Sequence, residues 1–278
     1  MSIKSMPVWK WVLLLIASFA LALIMYGLSQ AVLDSVSVPW VNWILSVVLS
    51  AAMIALYVLF VKWFERQPAS DVPLRALLPE TGKGFLVGIL FFVLVVLVMW
   101  IAGLYRIAHF GTDRSLDILS AFFLFLVVGV GEEILFRGIL FRWIDEKWGF
   151  VVALVVSSLL FGAMHFGQPG ATWWSSLAIA IEAGLLLGAA YKWSGTLWLP
   201  IGIHWAWNFF QGNVFGFAVS GGDAGASLIQ AGVNGPDILT GGAFGAEASI
   251  IAVILGAALS AWYIVRIARR GDARSCRA

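Results

Sequence analysis

Long apolar runs separated by short polar ones organise this chain. Eight stretches read as membrane-crossing helices: 10–32, 40–64, 84–105, 116–143, 149–166, 172–192, 196–217 and 247–267. A helix needs about 20 apolar residues to cross the hydrocarbon of a bilayer. The breaks carry turn-forming residues: Pro68 and Pro73, Gly111-Thr112-Asp113, Gln168-Pro169-Gly170 and Ser194-Gly195. Residues 218–246 are rich in Gly, Ala and Ser and lack Lys and Arg, which predicts a flexible loop with no core of its own. The expected fold is all-α: a polytopic membrane helix bundle of about eight transmembrane helices, forming a single integral-membrane domain over 1–278. No internal repeat points to an inverted-repeat transporter.

Composition sharpens this picture. Of 278 residues, 62% are hydrophobic and 12% charged, against about 25% charged in soluble domains. A soluble core cannot hide that much apolar surface, so the lipid bilayer is the expected surrounding. The net charge of +2 matters less than its placement. With the N-terminus inside, fourteen basic residues, from Lys4 to Arg277, fall on the inner side, and only Arg106 and Arg114 outside. That asymmetry places both termini in the cytoplasm. Tryptophans such as Trp40, Trp63, Trp143 and Trp198 lie near the span ends, as an aromatic belt requires. The chain reads as a multi-pass protein of a bacterial-type cell membrane. Without a basic run interleaved with aromatics, nucleic acid is excluded as a partner. The single cysteine, Cys276, cannot form an internal disulfide.

Six polar side chains interrupt the apolar runs: Glu132, Glu133, Arg137, His165, Glu182 and His204. A charge at bilayer depth costs roughly 2.5–3.5 kcal/mol even on insertion scales, so such residues mark a functional interior. Glu133 and Arg137 stand at i,i+4 with the acid first, the favoured pairing geometry. Glu132 points about 100° away from Glu133 and has no local partner. The pair reads as scaffold, and Glu132 as a carboxylate aimed into a cavity, suited to a general base. The bland alternative is that both glutamates simply pair with Arg137. His165 follows Phe161 by one turn, and Asn208 follows His204 by one turn. Each of these alone is ordinary interhelical chemistry. Counting 1.5 Å per residue from the inner edges puts Glu132 roughly 17–21 Å deep, His165 about 24 Å, His204 about 12 Å and Asn208 about 18 Å, in a core roughly 30 Å thick. These levels allow one shared chamber.

Glu132-Glu133-x-x-x-Arg137, Phe161-x-x-x-His165 and His204-x-x-x-Asn208, in that order on separate spans, resemble the CPBP family. That family comprises CAAX-type prenyl-protein endopeptidases and bacteriocin-processing or immunity relatives, also called Abi proteins. The run Gly195-Thr-Leu-Trp-Leu-Pro200-Ile-Gly-Ile-His204 adds to the likeness, which covers about 115–215 as a catalytic core. No motif position departs from the pattern. The resemblance implies an intramembrane endopeptidase acting on a peptide or protein substrate, including membrane-associated ones. It implies that Glu132 and His165 activate water, that His204 and Asn208 donate to the oxyanion, and that Glu133 and Arg137 hold the fourth helix. It leaves the cofactor open: Glu132, His165 and His204 are the three ligands that a catalytic zinc would use, while the helical His-Glu-x-x-His pattern is absent. Two rival readings remain at this level, a proton-relay transporter using Glu132, Glu182 and the histidines, and a non-enzymatic immunity or scaffold protein on the same fold. The chamber is expected to open to the cytoplasm.

Overall fold

The computed structural model describes residues 3–223 and 225–275, with side chains described as far as Arg270. Cys276 and Arg277 lie outside the described residues. Among the described residues, seven helices are long and apolar enough to cross a membrane: α1 (Val8–Asp34), α2 (Pro39–Glu65), α3 (Leu74–Ile101), α4 (Ser115–Trp148), α5 (Phe150–Gly167), α6 (Trp173–Ser194) and, last among them, a helix whose span covers Ile250–Arg270. The chain is a polytopic helical membrane protein. The stretch 196–217, expected as a span of its own, forms α7: Trp198–Phe209 continued by a widened π-turn over Phe210–Val214. It is shorter than the about 20 residues a free-standing span needs. It lies inside the bundle: ten of the twelve residues Trp198–Phe209 are buried. The closing helix α8 runs from Ile250 to Ser275 and packs against α6.

Local chemistry sets the breaks. Pro39 opens α2 at its first turn, where a missing N–H costs nothing. Thr172 and Ser175 cap the start of α6 reciprocally, each side chain accepting from the other's backbone N–H. Gly195 ends α6 in the left-handed conformation, φ +70°.

The tightest packing in the bundle joins α3 to α7. A Cβ placed on Gly84 would lie 2.1 Å from the Leu199 carbonyl oxygen, and one on Gly88 2.5 Å from that of Ile203. From the other side, a Cβ on Gly202 would lie 2.2 Å from the Thr81 carbonyl oxygen. Small residues let two membrane helices touch backbone to backbone, the main source of helix affinity where lipid removes the hydrophobic drive. Gly202→Leu is therefore expected to wedge the pair apart and to destabilise by about 1–3 kcal/mol or more, read as a lower thermal midpoint in detergent.

Two regions differ from expectation. Beside the helices stands a small antiparallel sheet, β1 (Tyr105–Phe110) against β2 (Ile229–Val233), with Tyr105 opposite Val233 and Phe110 opposite Ile229. The stretch 218–246, expected to be a flexible loop, is instead, over 218–223 and 225–246, an ordered cap that continues through Glu247 to Ser249. Polar side chains on the widened end of α7 hold it: Gln211 donates to the Ala218 carbonyl at 2.6 Å, and Asn213 to that of Ala226 at 2.8 Å. Trp174 of α6 donates to the Ala248 carbonyl at 2.7 Å, and Phe244 is buried. Satisfied carbonyls and a few aromatic anchors do the work that the sparse apolar content of this stretch does not suggest.

Candidate active site

Glu133 is the hub of the buried polar cluster. It lies near the middle of α4, just before a π-turn over Ile134–Phe141 that carries Arg137. Its Oε1 accepts from Arg137 Nη1 at 2.9 Å, and both side chains are 0% exposed. The same oxygen accepts from His204 Nδ1, also at 2.9 Å. The sequence reading treated Glu133 as scaffold for α4 only. In the structure it also orients the α7 histidine.

Arg137 is held on further sides. Its Nη2 donates to the Gly184 carbonyl at 3.2 Å, where α6 opens into a π-turn over Ala180–Gly184. π-Turns interrupt the regular ladder and are frequent at functional sites. The Arg137 guanidinium lies 4.7 Å from the centre of the Phe161 ring, a cation–π distance. Phe161 also packs against both histidines, its centroid 4.8 Å from His165 and 6.1 Å from His204. The aromatic of the Phe-x-x-x-His pattern thus links the arginine to both imidazoles.

Glu132 takes a separate direction. Its Oε1 accepts from the Tyr26 hydroxyl at 3.4 Å, and its Oε2 lies 3.8 Å from His204 Nε2 with no hydrogen-bond partner among the described residues. Tyr26, on the first span, was not anticipated. Its ring fits because position 131 is glycine: a Cβ there would come within 2.3 Å of it.

His165, His204 and Asn208 meet at a cavity of about 20 Å³, room for one water-sized group. His165 Nδ1 lies 2.7 Å from the Phe161 carbonyl. The carbonyl can only accept, so this nitrogen carries a proton, and in the neutral ring Nε2 keeps the lone pair. His204 Nδ1 likewise donates to Glu133, so its Nε2 donates only when the ring holds both protons. The same cavity is lined by Ser220 and Glu247 of the cap, neither foreseen. Gln211 lies beside them, seven residues after His204 on the same face of α7, a spacing visible in the sequence but not used. Glu182 does not join the Glu132 cluster. It is fully buried on α6, and neither carboxyl oxygen has a hydrogen-bond partner among the described residues.

Glu132, His165 and His204 do not form a zinc site in this geometry. Among the described residues, no three His, Cys, Asp or Glu side chains are placed to hold one metal ion. Glu132 and His204 approach each other, but Glu132 does not line the cavity that the two histidines share. The residues do not fit the group as arranged.

The polar motifs of α4, α5 and α7 therefore surround one buried site, inside the segment that sequence comparison recognises. Residues 114–210 match the Rce1-like family. The family is described as type II CAAX prenyl endopeptidase Rce1-like, and the match contains every motif position above. Two proteins of Bacillus subtilis (strain 168) are similar over part of their length. "Uncharacterized protein YpbD" is 34% identical over 82 residues, 30% of this chain and 38% of that protein. "Putative membrane peptidase YdiL" is 32% identical over 104 residues, 36% of this chain and 40% of that protein. This chain thus spans well under half the length of either relative. No solved structure matches. The Rce1-like segment ends four residues before Val214 and leaves α1–α3, the cap and α8 outside the match.

Proposed function

We propose that this protein is an intramembrane endopeptidase that hydrolyses a peptide bond by activating water with its own side chains. The observation that carries the reading is the convergence of His165, His204 and Asn208 on a water-sized cavity, with the unpartnered Oε2 of Glu132 beside His204. The peptide enters between Glu132 and the cavity, its carbonyl oxygen directed to His204 and Asn208. Glu132 takes a proton from the attacking water, and His165 holds that water through the Nε2 lone pair. The hydroxide adds to the carbonyl carbon. His204, as the imidazolium held by Glu133, and the Asn208 amide donate to the oxyanion, the electrostatic term that usually contributes most in acyl transfer.

A large apolar groove of about 1130 Å³ lies between α2, α3, α4 and α7. It runs from Lys62 and Leu74 to Val130, two residues before Glu132. We assign to it the apolar part of a membrane-associated peptide or protein substrate, approaching from the basic, cytoplasmic end.

The test is direct. Purified protein in liposomes is incubated with a peptide library, and new termini are read by mass spectrometry. Cleavage by the native protein that disappears in Glu132→Ala supports the reading. No cleavage sinks it in favour of a non-enzymatic protein, and cleavage indifferent to Glu132 overturns the assignment of the base. Within this reading, Asn208→Ala is expected to lower kcat by about 10²–10³ with little change in KM, because the amide acts only on charge that develops in the transition state. Steady-state kinetics on a defined peptide check it.

A further inference from the structure

Peptide hydrolysis needs two proton transfers, from the water and to the departing nitrogen, and none of the motif residues that line the small cavity carries a carboxyl group for the second. Glu132 receives the water proton, but it stands outside the small cavity, on the side where it meets His204 Nε2 at 3.8 Å. The carboxyl group that does line the cavity, together with His165, His204 and Asn208, is Glu247. It lies 34 residues beyond Asn213 in the cap, outside the family match.

We propose that Glu247 is a further catalytic residue, the donor of the proton that the departing amine nitrogen takes up. The inference rests on the peptidase reading above. Three features place Glu247 for this work. Its Oε1 accepts the backbone N–H of Ser220, and the Gln211 amide also bonds to it, so the carboxyl is held from two sides. It is 2% exposed, and among the described residues no Lys or Arg forms an ion pair with it. The titratable groups near it are His165 and His204 in the cavity and the buried Glu182 of α6, which lies close enough to act on it electrostatically. Glu247 precedes the last span, and burial pushes its carboxyl up to about 7. It therefore still holds its proton in much of the population near neutral pH, as an efficient acid should.

The step balances without an added reactant. Glu132 takes one hydrogen of the water, and the remaining hydroxide forms the new C–O bond. The C–N bond breaks as its nitrogen takes the Glu247 proton. The proton on Glu132 then returns to Glu247 past the intervening His204 ring, and both carboxyl groups are reset with one water consumed.

A leaving-group comparison tests this. The native protein, Glu132→Gln and Glu247→Gln are assayed in liposomes on one peptide and on a matched aryl ester, whose phenolate departs without a proton. Glu247→Gln is expected to slow the peptide by about 10²–10⁴ and the ester by no more than about threefold. Glu132→Gln is expected to stop both. A folded Glu247→Gln that cleaves the peptide normally, or slows both substrates equally, overturns the assignment and leaves the peptidase reading intact. A native protein that cleaves neither substrate removes the peptidase reading and this inference with it. Should Glu247→Gln fail to fold, Glu247→Asp carries the test. Its carboxyl is drawn back by one methylene, so the peptide-to-ester rate ratio is expected to fall, and an unchanged ratio overturns the proposal.

Discussion

Glu132→Gln is expected to abolish peptide turnover and to leave the thermal midpoint in detergent almost unchanged. The two halves of that expectation come from different atoms. Glutamine keeps an oxygen to accept from Tyr26, the one direct hydrogen bond Glu132 makes among the described residues. It replaces the unpartnered Oε2 with an amide nitrogen that donates and cannot take a proton. The glutamate side chain is 18% exposed and is not salt-bridged to Arg137, and His204, which its Oε2 approaches at 3.8 Å, keeps Glu133 as its 2.9 Å partner, so removing its charge leaves neither buried cation without a carboxylate. The stability change should stay near the about ±0.5 kcal/mol typical away from special features, while loss of the base costs at least about 10²–10⁴ in rate. Normal turnover in this variant would end the catalytic assignment.

Glu133→Gln is expected to do the reverse in stability and to harm activity as well. Glu133 and Arg137 are both 0% exposed. Taking the charge from one leaves the other uncompensated in a dry interior, at a cost of about 3–5 kcal/mol. The variant also weakens the bond that orients His204, so turnover should fall even in the fraction that folds. A double variant separates the effects. Glu133→Leu with Arg137→Met removes both charges, and such replacements are often close to neutral for stability. It should recover much of the thermal midpoint and none of the activity, because the His204 tether is still missing. A Glu133→Gln protein as stable as the native one would show that the buried pair contributes little.

The Glu133–Arg137 pair was legible in the sequence because i,i+4 contacts are local and helical geometry fixes them. The meeting of Glu133 with His204 was not, because 71 residues separate them and only the packing of α4 against α7 decides which faces meet. Tyr26 was hidden for the same reason: one tyrosine in an apolar first span has no pattern around it. The stretch 196–217 reads as apolar enough to suit lipid, yet most side chains of its helical part, Trp198–Phe209, face other helices, which only the packing reveals. The cap was misread because its order comes from donors on α7 and α6 rather than from its own hydrophobic content. Glu247 stands at the start of the expected last span, 247–267, and only the fold of the cap against α7 brings it to the site.

The backbone contact between α3 and α7 has a consequence for how the recognised segment is regarded. Residues 114–210 carry all the motif positions, yet the helix that brings His204 and Asn208 to the site is seated on Thr81, Gly84 and Gly88 of α3. Those three positions lie upstream of the match. The motif segment is therefore not a self-sufficient module, and its chemistry is inseparable from a helix that looks generic. A truncated chain beginning at residue 114 would keep every signature residue and lose the seat that holds two of them in register.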